Sequence, residues 1–511
     1  MAERGPELIE RAHGFLDRTA LIAPGGSLTY GELLAESAAV VCGLLDGASD
    51  LAGRRVAFLV PPGLDWAVTQ WAIWRAGGVA VPLAISHPRP ELEHVIRDSD
   101  ATIVVGDPVF ADRLKPLVGD LERRYVSTNA LSGGARAALP GIAPSRRAMI
   151  LYTSGTTGKP KGAVLTHGNI AAQVRSLVSA WGWREDDRIL NVLPLHHVHG
   201  IVNVLTCALW VGATCELLPR FDADEIWDRL ASGEVTLFMA VPTIYARLIT
   251  AWEGAEEDRR RGWNEGCRRL RLMVSGSAAL PVSTLERWRE ITGHVLLERY
   301  GMTEIGMALS NPLDGTRVAG RVGTPLPGVE VRLVDERGAA VPEGQSGEIE
   351  VRGPGVFREY WNQPEATRAT FRGDWFRTGD LAVFEDGRYR ILGRSSVDII
   401  KSGGFKISAL EIEECLRQHP AVEDCAVVGL DDPEWGQRIA AVVRLRPGAK
   451  AGPAELQAWA RERLAPYKVP REVRLVGALP RNAMGKVFKP DVARLFGPDA
   501  GEPKQEVEPC R

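Results

Sequence analysis

The chain has 511 residues, of which 45% are hydrophobic and 25% charged, and its 62 basic residues nearly balance its 65 acidic ones. This length allows two to four domains, and the near-neutral charge removes the usual electrostatic reason to expect nucleic acid or an anionic membrane as a partner. The seven cysteines are odd in number and scattered, without a zinc-type spacing, so we expect reduced thiols in the core.

The amino terminus and the most apolar stretch both predict a cytoplasmic protein. The opening MAERGPELIERAHGF carries acidic residues early and lacks the apolar core of a secretory signal. The apolar stretch Ile201–Leu218 contains Asn203 and Thr206, so we expect a buried helix that runs into a strand rather than a membrane span. The sequence leaves the oligomeric state open between monomer and homodimer.

The first part of the chain alternates helical and strand patterns. Thr29 and Glu32 form a capping box that opens a helix. Arg55–Val60 is a short apolar strand, and the amphipathic helix after it ends at Gly77 and Gly78. Because the alternation continues after residue 150, it predicts parallel sheets covered by helices.

The pattern changes at about residue 323, where short alternating strands separated by turns such as Asp386-Gly387 predict a small β subdomain. After Gly393 a second capping box, Ser408 with Glu411, opens a helix in a compact α+β unit. We therefore predict an α/β protein with a large N-terminal domain (1–393) of two parallel α/β sheets and a small β-barrel-like subdomain (about 323–393). A smaller α+β C-terminal domain (394–492) and a disordered tail (497–511) follow.

The strongest motif is the loop YTSGTTGKPKG at positions 152–162. Its small residues let backbone N–H groups approach an anion, its hydroxyls add donors, and its lysines supply positive charge. The apolar run MILY ahead of it places the loop at a strand end, a common nucleotide position in α/β sheets. Pro160 breaks the Walker A spacing. The predicted phosphate-binding residues are Thr153, Ser154, Gly155, Thr156, Thr157, Gly158, Lys159 and Lys161.

This loop resembles the signature of the adenylate-forming superfamily of acyl-CoA synthetases, adenylation domains and luciferases. Further matches follow in the superfamily's order over residues from about 15 to about 490: RYGMTE (299–304), TGD (378–380), GR (393–394), KSGGFKIS (401–408) and PRNAMGK (480–486). The resemblance implies two half-reactions. A carboxylate attacks the α-phosphorus of ATP to give an acyl-adenylate and pyrophosphate, and the thiol of coenzyme A then displaces AMP.

The resemblance also implies roles for single residues. Glu304 would bind magnesium, and Thr303 would donate to the α-phosphate. Asp380 would accept both ribose hydroxyls with Arg394 beside it. Lys486 would neutralise charge on the α-phosphate and the attacking oxygen, and Tyr300 belongs to the same nucleotide site.

In the superfamily the small C-terminal domain is mobile and rotates between the half-reactions. One orientation would insert Lys486, and the other would present a segment that lines the channel for coenzyme A. The predicted CoA-binding residues are Lys401, Ser402, Gly403 and Gly404. The resemblance places the hinge at Ser396 or Val397.

Three strings are similar to malonyl-CoA synthetases, especially those of the acyl-CoA synthetase family member 3 type: VPTIYARL, RLMVSGSAALP and RYGMTEIGMALSNP. A diacid needs a counter-charge for its distal carboxylate, and the arginine fork suits that role. Arg247 is the first candidate and Arg271 the second. The other predicted pocket residues are His197, Ser275, Gly276, Ser277, Met302 and Met307.

The resemblance thus implies an ATP-dependent malonyl-CoA or methylmalonyl-CoA synthetase that uses ATP, Mg²⁺ and coenzyme A. Two alternatives remain open. One is a ligase for fatty or aromatic monocarboxylates with an uncharged pocket, and the other is a stand-alone adenylation enzyme that loads a carrier protein. The preferred diacid and regulation by lysine acetylation also remain open.

Overall fold

The computed structural model describes residues 5–130, 139–153, 160–403, 405–481 and 486–497, without the side chain of Lys406. Loop residues 154–159, Gly404 and the expected disordered tail beyond residue 497 therefore lie outside the described residues. The chain divides into two compact units. Residues 1–280, 285–332 and 350–377 form unit 1, and residues 281–284, 333–349 and 378–511 form unit 2.

Strands occur along almost the whole described chain. In chain order they are β1 (Thr19–Ala23), β2 (Gly26–Thr29), β3 (Arg55–Leu59), β4 (Val79–Pro82), β5 (Ile103–Gly106), β6 (Arg124–Ser127), β7 (Arg147–Thr153), β8 (Lys161–Thr166), β9 (Arg188–Asn191), β10 (Thr214–Leu217), β11 (Leu237–Ala240), β12 (Leu272–Ser275), β13 (Leu297–Met302), β14 (Gly306–Ser310), β15 (Thr324–Pro325), β16 (Glu330–Val334), β17 (Ser346–Arg352), β18 (Glu359–Tyr360), β19 (Phe371–Arg372), β20 (Trp375–Glu385), β21 (Arg388–Arg394), β22 (Ile399–Ser402), β23 (Phe405–Ser408), β24 (Val422–Asp432), β25 (Gly436–Leu445) and β26 (Glu472–Leu475).

Helices alternate with these strands. In chain order they are α1 (Glu7–Ala12), α2 (Tyr30–Leu45), α3 (Leu64–Arg75), α4 (Arg89–Asp98), α5 (Ala111–Asp120), α6 (His167–Ala180), α7 (Cys207–Val211), α8 (Ala223–Ala231), α9 (Pro242–Gly254), α10 (Glu257–Cys267), α11 (Val282–Thr292), α12 (Pro364–Ala369), α13 (Ala409–Arg417), α14 (Pro453–Arg463) and α15 (Lys489–Arg494). A π-helix, His199–Thr206, precedes α7, and short 3₁₀ turns occupy Pro108–Phe110, Thr128–Ala130 and Pro466–Lys468.

The predicted α/β fold class is confirmed, but its two large sheets are mixed rather than purely parallel. One has the strand order β15-β14-β13-β12-β11-β9-β10-β1-β2 and the other β18-β8-β7-β4-β3-β5-β6. The central pairs, such as β11 with β12 and β3 with β4, are parallel, as the alternation of strands and helices predicts. Antiparallel strands are added at the edges, for example β14 beside β13 and β8 beside β7.

Two smaller sheets contain the later strands. One has the order β16-β17-β20-β19 with β21 paired to β20, and the other has the order β23-β22-β25-β24 with β26 paired to β25. The second of these sheets packs against α13 and α14 through an apolar cluster that includes Ile412, Leu416 and Leu456. This cluster gives the carboxyl-terminal part of the chain a core of its own.

The capping boxes behave differently. At α2 both reciprocal bonds form between Thr29 and Glu32, as predicted. At α13 the Ser408 hydroxyl accepts from the Glu411 backbone over 3.3 Å, but the Glu411 carboxylate accepts from Lys468 Nζ at 2.6 and 2.8 Å. The second helix start is therefore confirmed, while the acidic side chain binds a lysine from another turn.

The apolar stretch 201–218 is a buried helix that leads into a strand, as predicted, since it comprises most of the π-helix, α7 and β10. No helix in the described part of the chain is long and apolar enough to cross a membrane. The cysteines at 207, 215, 267, 415 and 425 are buried thiols, which fits the predicted reduced core.

Candidate active site

The glycine-rich loop joins two neighbouring antiparallel strands of unit 1. Thr153 at the end of β7 lies opposite Lys161 at the start of β8 in the strand register. The predicted loop position at a strand end is correct, and after the loop the chain returns as an adjacent antiparallel strand. The predicted phosphate ligands Ser154, Gly155, Thr156, Thr157, Gly158 and Lys159 lie outside the described residues.

Helix α4 holds both ends of this loop. The Tyr152 hydroxyl donates to Oδ2 of Asp98 over 2.7 Å, and Nε2 of His94 donates to the carbonyl of Pro160 over 3.2 Å. Positions 94 and 98 lie on the same face of a helix because they are four residues apart. A single helix face therefore fixes the residues on either side of the loop.

Glu304 lies beside the same loop end, in the turn between β13 and β14. Its carboxylate is buried, and its Oε1 accepts from the Tyr360 hydroxyl over 2.9 Å and from Thr153 Oγ1 over 3.3 Å. Nζ of Lys161 lies 5.3 Å from the centroid of the Tyr360 ring. These contacts orient a carboxylate oxygen next to the place where the loop begins.

This arrangement fits a magnesium ion that is shared with a nucleotide. No group of three or more His, Cys, Asp or Glu side chains in the described ranges is arranged to hold a metal ion without other ligands. Mg²⁺ is usually bound by one or two carboxylates together with substrate phosphates, so a single oriented carboxylate beside a phosphate loop suffices. Glu304 therefore fits as the protein ligand.

Three of the predicted acyl pocket residues lie at the carboxyl end of a parallel strand. Ser275 ends β12 and is followed by Gly276 and Ser277, and β11 and β13 flank β12 in parallel. Ligands of open α/β sheets bind at this edge. Ser277 has φ 69°, which is uncommon for a residue with a side chain and is often found at functional positions.

Arg299 of β13 extends into this group. Its guanidinium is buried and donates to Ser277 Oγ over 3.2 Å, while its Nε has no hydrogen-bond partner among the described residues. Ser277 Oγ also lies 3.2 Å from Nδ1 of His199. Burial lowers the pKa of Arg299 from its ordinary value to about 9, and the side chain still carries its charge at neutral pH.

The close packing of Arg299 depends on a glycine. A Cβ at Gly276 would lie 2.4 Å from Cζ and Nε of Arg299, so only glycine leaves room for the guanidinium. Arg299 belongs to the RYGMTE motif, but the motif alone predicts no role for it in the pocket. One signal in the sequence could have identified it: a charged residue next to the apolar run of a buried strand, directly before a glycine motif.

The two arginines proposed from the sequence occupy other places. Arg271 precedes β12 and forms a bidentate pair with Asp187, with its Nε 2.8 Å from Oδ1 and its NH2 2.5 Å from Oδ2. It lies at the opposite end of the strand from Ser275 and Ser277, which disfavours the pocket role predicted for Arg271. Arg247 is exposed on α9, and its Cζ lies 4.0 Å from the centroid of the Phe221 ring.

The remaining pocket candidates vary in burial. The ring of His197 lies 4.1 Å from the ring of His196. Met307 is buried in β14, and its backbone donates to Gln173 Oε1 over 2.8 Å. Met302 ends β13 and is half-buried, like Tyr300 and Thr303.

In unit 2, Asp380 and Arg394 form an ion pair across β20 and β21. Nε of Arg394 lies 3.0 Å from Oδ1 of Asp380, whose residue is 9% exposed. The backbone of Asp380 donates to Thr378 Oγ1 over 3.1 Å. The carboxylate is thereby fixed by a cation and a turn, which is a suitable arrangement for accepting hydroxyl groups.

The predicted CoA-binding segment is a hairpin of the same unit. Lys401 and Ser402 lie on β22, and Gly403 has φ 56° with no room for a Cβ against the Trp435 ring. Lys486 is exposed and comes one residue before Val487, which forms an isolated antiparallel bridge to Arg481.

Two protein-family models match this chain. The model of the AMP-binding enzyme family matches residues 8–361, and the model of its C-terminal domain matches residues 411–486. The chain belongs to the AMP-binding enzyme family. The identification as a member of the adenylate-forming superfamily is therefore confirmed.

Relatives of this AMP-binding enzyme resemble it over nearly all of its length. "Malonate--CoA ligase ACSF3, mitochondrial" of Mus musculus is 50% identical, and the match covers 96% of this chain and 90% of that protein. "Malonate--CoA ligase" of Arabidopsis thaliana is 40% identical, with 94% and 86% covered. The crystal structure of ATP-bound MatB from Rhodopseudomonas palustris has a TM-score of 0.90 at 36% identity, and the match covers 98% of this chain and 100% of that chain.

Proposed function

We propose that this enzyme is an ATP-dependent malonate–CoA ligase that forms malonyl-adenylate and then malonyl-CoA. The names of its relatives support the proposal, and the buried Arg299 is the observation in the fold that carries it. A buried cation without an opposite charge is costly, and a ligand carboxylate offsets that cost through charge-assisted hydrogen bonds. A diacid supplies this carboxylate in addition to the one that reacts.

Arg299 suits this role better than the two arginines proposed from the sequence. Arg271 already has a buried carboxylate partner in Asp187, whereas Arg299 has only the neutral Ser277 hydroxyl as a side-chain acceptor that the structure describes. Ser277 and His199 would hold the far end of the acid beside the guanidinium. Arg247 remains a proposal for a further contact at the rim, where Phe221 supports its guanidinium.

The first half-reaction would use residues of unit 1 together with Lys486. One carboxylate oxygen of the acid bonds to the α-phosphorus of ATP, and the bond from that phosphorus to the pyrophosphate leaving group breaks. We assign phosphate binding to the loop at 153–159 with Lys161, and donation to the α-phosphate to Thr303. Lys486 would neutralise the negative charge that builds on the transferred phosphate.

Glu304 would hold the magnesium ion, which when bound offsets the charge of the triphosphate. The protein's own contribution is orientation. Tyr360 and Thr153 donate to Oε1 and fix the rotamer of the carboxylate before any ligand arrives.

The second half-reaction transfers the acyl group to sulfur. The sulfur of coenzyme A bonds to the acyl carbonyl carbon, and the bond from that carbon to the AMP oxygen breaks. We assign ribose binding to Asp380 and Arg394, and the thiol channel to Lys401, Ser402, Gly403 and Gly404. The domain from residue 394 to 492 would rotate about Ser396 or Val397 between the two steps.

A substrate panel tests the proposal. The purified chain is supplied with ATP, Mg²⁺, coenzyme A and either malonate, methylmalonate, acetate, octanoate or coumarate, and the CoA esters are quantified by chromatography. A preference for the diacids is expected. If octanoate or coumarate gives more CoA ester than malonate, the enzyme is instead a monocarboxylate ligase. Adenylate without thioester would identify an enzyme that loads a carrier protein.

The cellular location remains a separate proposal. We propose a cytoplasmic location, whereas a mouse relative carries "mitochondrial" in its name. Fractionation of the native source with a compartment marker decides between the two.

A further inference from the structure

A buried ion cluster in unit 2 surrounds Lys489, the first residue of α15. Its Nζ lies 2.7 Å from Oδ1 of Asp398 and 2.9 Å from Oε1 of Glu413. The Lys489 side chain is 11% exposed and that of Glu413 is 5% exposed. This lysine is therefore a core group and differs from the solvated charges that most lysines provide.

The cluster joins three separate segments. Asp398 lies four residues after Arg394, and its Oδ2 accepts from the Arg394 backbone over 3.0 Å. Glu413 lies on α13, and its Oε1 accepts from the Val427 backbone of β24 over 2.9 Å. Lys489 lies in the third segment, which also contains Lys486 three positions earlier.

The chain between Lys486 and Lys489 is itself fixed. Val487 forms its bridge to Arg481, and the Phe488 backbone donates to the Pro480 carbonyl over 2.9 Å. Because these contacts hold Val487 and Phe488, a displacement of Lys489 also moves the backbone at Lys486.

The two neighbouring carboxylates favour the charged form of Lys489 in its buried position. Burial acts to lower the pKa of Lys489, but the carboxylates of Glu413 and Asp398 outweigh burial and leave that pKa above its ordinary 10.5. A buried ion pair contributes little net stability compared with apolar packing, so its clearest use is to specify a geometry. Lys489 holds the residues after Arg394 and the Lys486 segment in one arrangement.

We propose that Lys489 is a positioning residue for Lys486, an inference that rests on the proposed role of Lys486 in adenylation. The ammonium group of Lys489 does not touch the substrate. It fixes the start of α15 against Asp398 and Glu413, and thereby sets where the Lys486 side chain begins. Losing that anchor lowers adenylation, while the thioester step, which uses the other assigned segment, is spared.

The test compares Lys489→Met and Lys489→Arg with Arg494→Met, measured on the full chain. Arg494 is a matched control because it pairs with Asp491 on the same helix but is 79% exposed. Adenylation is followed by acid-dependent isotope exchange between pyrophosphate and ATP. The thioester step is followed by the formation of malonyl-CoA from supplied malonyl-adenylate and coenzyme A.

We expect Lys489→Met to lower the kcat of adenylation about 100-fold, since a displacement of about 1 Å at a reacting group has this effect, with the KM for ATP changed less than about 3-fold. The thioester step should change less than about 3-fold in the same variant. Lys489→Arg keeps the charge and should recover most of the adenylation rate. Arg494→Met should behave like the parent chain in both assays.

Equal losses in both half-reactions would overturn the proposal, because a purely structural role predicts no difference between them. An arginine variant as poor as the methionine variant would overturn it as well. If Lys489→Met does not fold, Asp398→Asn decides, because it weakens the same contact without adding or removing a heavy atom. That variant should show the same selective loss of adenylation, and equal loss in both steps contradicts the proposal.

Failure of the proposed function is recognised separately. If the parent chain activates another acid instead of malonate, the same ratios are measured with that acid. If Lys486→Ala leaves adenylation unchanged in the parent chain, the role of Lys486 fails before Lys489 is considered.

Discussion

Arg299 donates to the hydroxyl of Ser277 over 3.2 Å, across the carboxyl ends of two parallel strands. Ser277 is held in a left-handed backbone conformation, φ 69°, and lies 3.2 Å from Nδ1 of His199. A cation, a hydroxyl and an imidazole thus converge in one place, which suits the recognition of a planar carboxylate better than that of an alkyl chain. The specificity proposed for the enzyme depends on this group.

The first prediction concerns the charge of Arg299. Arg299→Met should lower kcat/KM for malonate about 100-fold, because removing one partner of a buried charge pair costs about 2–5 kcal/mol. The KM for ATP should change little. Initial rates across malonate and ATP concentrations measure both constants.

Arg247→Met is the competing variant in this test, since Arg247 is exposed and stacks on Phe221. If Arg247→Met loses more malonate selectivity than Arg299→Met, Arg247 binds the distal carboxylate, as the sequence first predicts. Arg271→Met should lower the melting temperature, because it leaves Asp187 buried and unpaired. The selectivity for malonate should not change in this variant.

The second prediction follows from the pKa of Arg299. Burial lowers this pKa, so loss of the positive charge from the free enzyme begins at a lower pH than for an exposed arginine. We expect kcat/KM for malonate to fall at the alkaline end of the pH range, because the distal carboxylate then meets a neutral side chain. Bound malonate favours the charged form, so kcat should fall only at a higher pH.

The comparison that tests this prediction is the ratio of malonate to acetate activity in the parent chain from pH 7 to 10. Other groups that titrate in this range affect both acids, whereas Arg299 affects the diacid more. A ratio that does not change with pH contradicts this prediction and means that Arg299 stays charged up to pH 10.

The third prediction concerns the base of the phosphate loop. Tyr152→Phe removes the donor to Asp98, and hydrogen bonds to charged groups contribute about 1.5–3 kcal/mol. Burial and the contact with Asp98 raise the pKa of Tyr152, so the hydroxyl remains a donor at working pH. We expect kcat/KM for ATP to fall about 10-fold, measured by pyrophosphate exchange.

Tyr125→Phe is the control for the loss of a tyrosine hydroxyl. The Tyr125 hydroxyl is buried, and within the described part of the chain it has no hydrogen-bond partner. Removing it should leave ATP kinetics unchanged. If both variants behave alike, α4 does not position the loop through Tyr152.

Local signals in the sequence account for much of the fold. The capping pair Thr29 and Glu32 and the glycine at 77 lie within one helical turn of the boundaries that they predict. The glycine-rich loop was placed correctly after its strand, but the pairing of β7 with β8 was missed. Both flanking segments are apolar strands, and nothing local distinguishes a hairpin from a crossover.

The sequence ranks Arg247 before Arg271 and gives Arg299 no pocket role, because the environment of each arginine comes from distant positions. Arg271 contacts Asp187, which is 84 residues away in the sequence, and Arg299 contacts Ser277, which is 22 residues away. Only the folded chain shows which guanidinium already has a carboxylate. The family motifs indicate the reaction, whereas the unpaired charge at the strand ends indicates the acid.

The fourth prediction separates backbone strain from steric clash at the ends of α2 and α3. Gly77 has φ 77° and Gly47 has φ 85°, and both follow a helix. A Cβ at Gly77 would lie 2.0 Å from Oδ1 of Asp50 and 2.5 Å from NH2 of Arg146, whereas nothing lies within 4 Å of a Cβ at Gly47. Asp50 and Arg146 form a bidentate pair at 2.8 Å for both bonds.

Gly47→Ala should therefore cost only the strain of a left-handed alanine, about 1 kcal/mol. Gly77→Ala adds the separation of Asp50 from Arg146 and should cost roughly 3 kcal/mol in total. Calorimetric melting of both variants measures the difference, and we expect Gly77→Ala to lower the first transition clearly more than Gly47→Ala. Equal shifts would mean that Asp50 and Arg146 move aside together without losing their bonds, so that the strain of the left-handed turn is the whole effect.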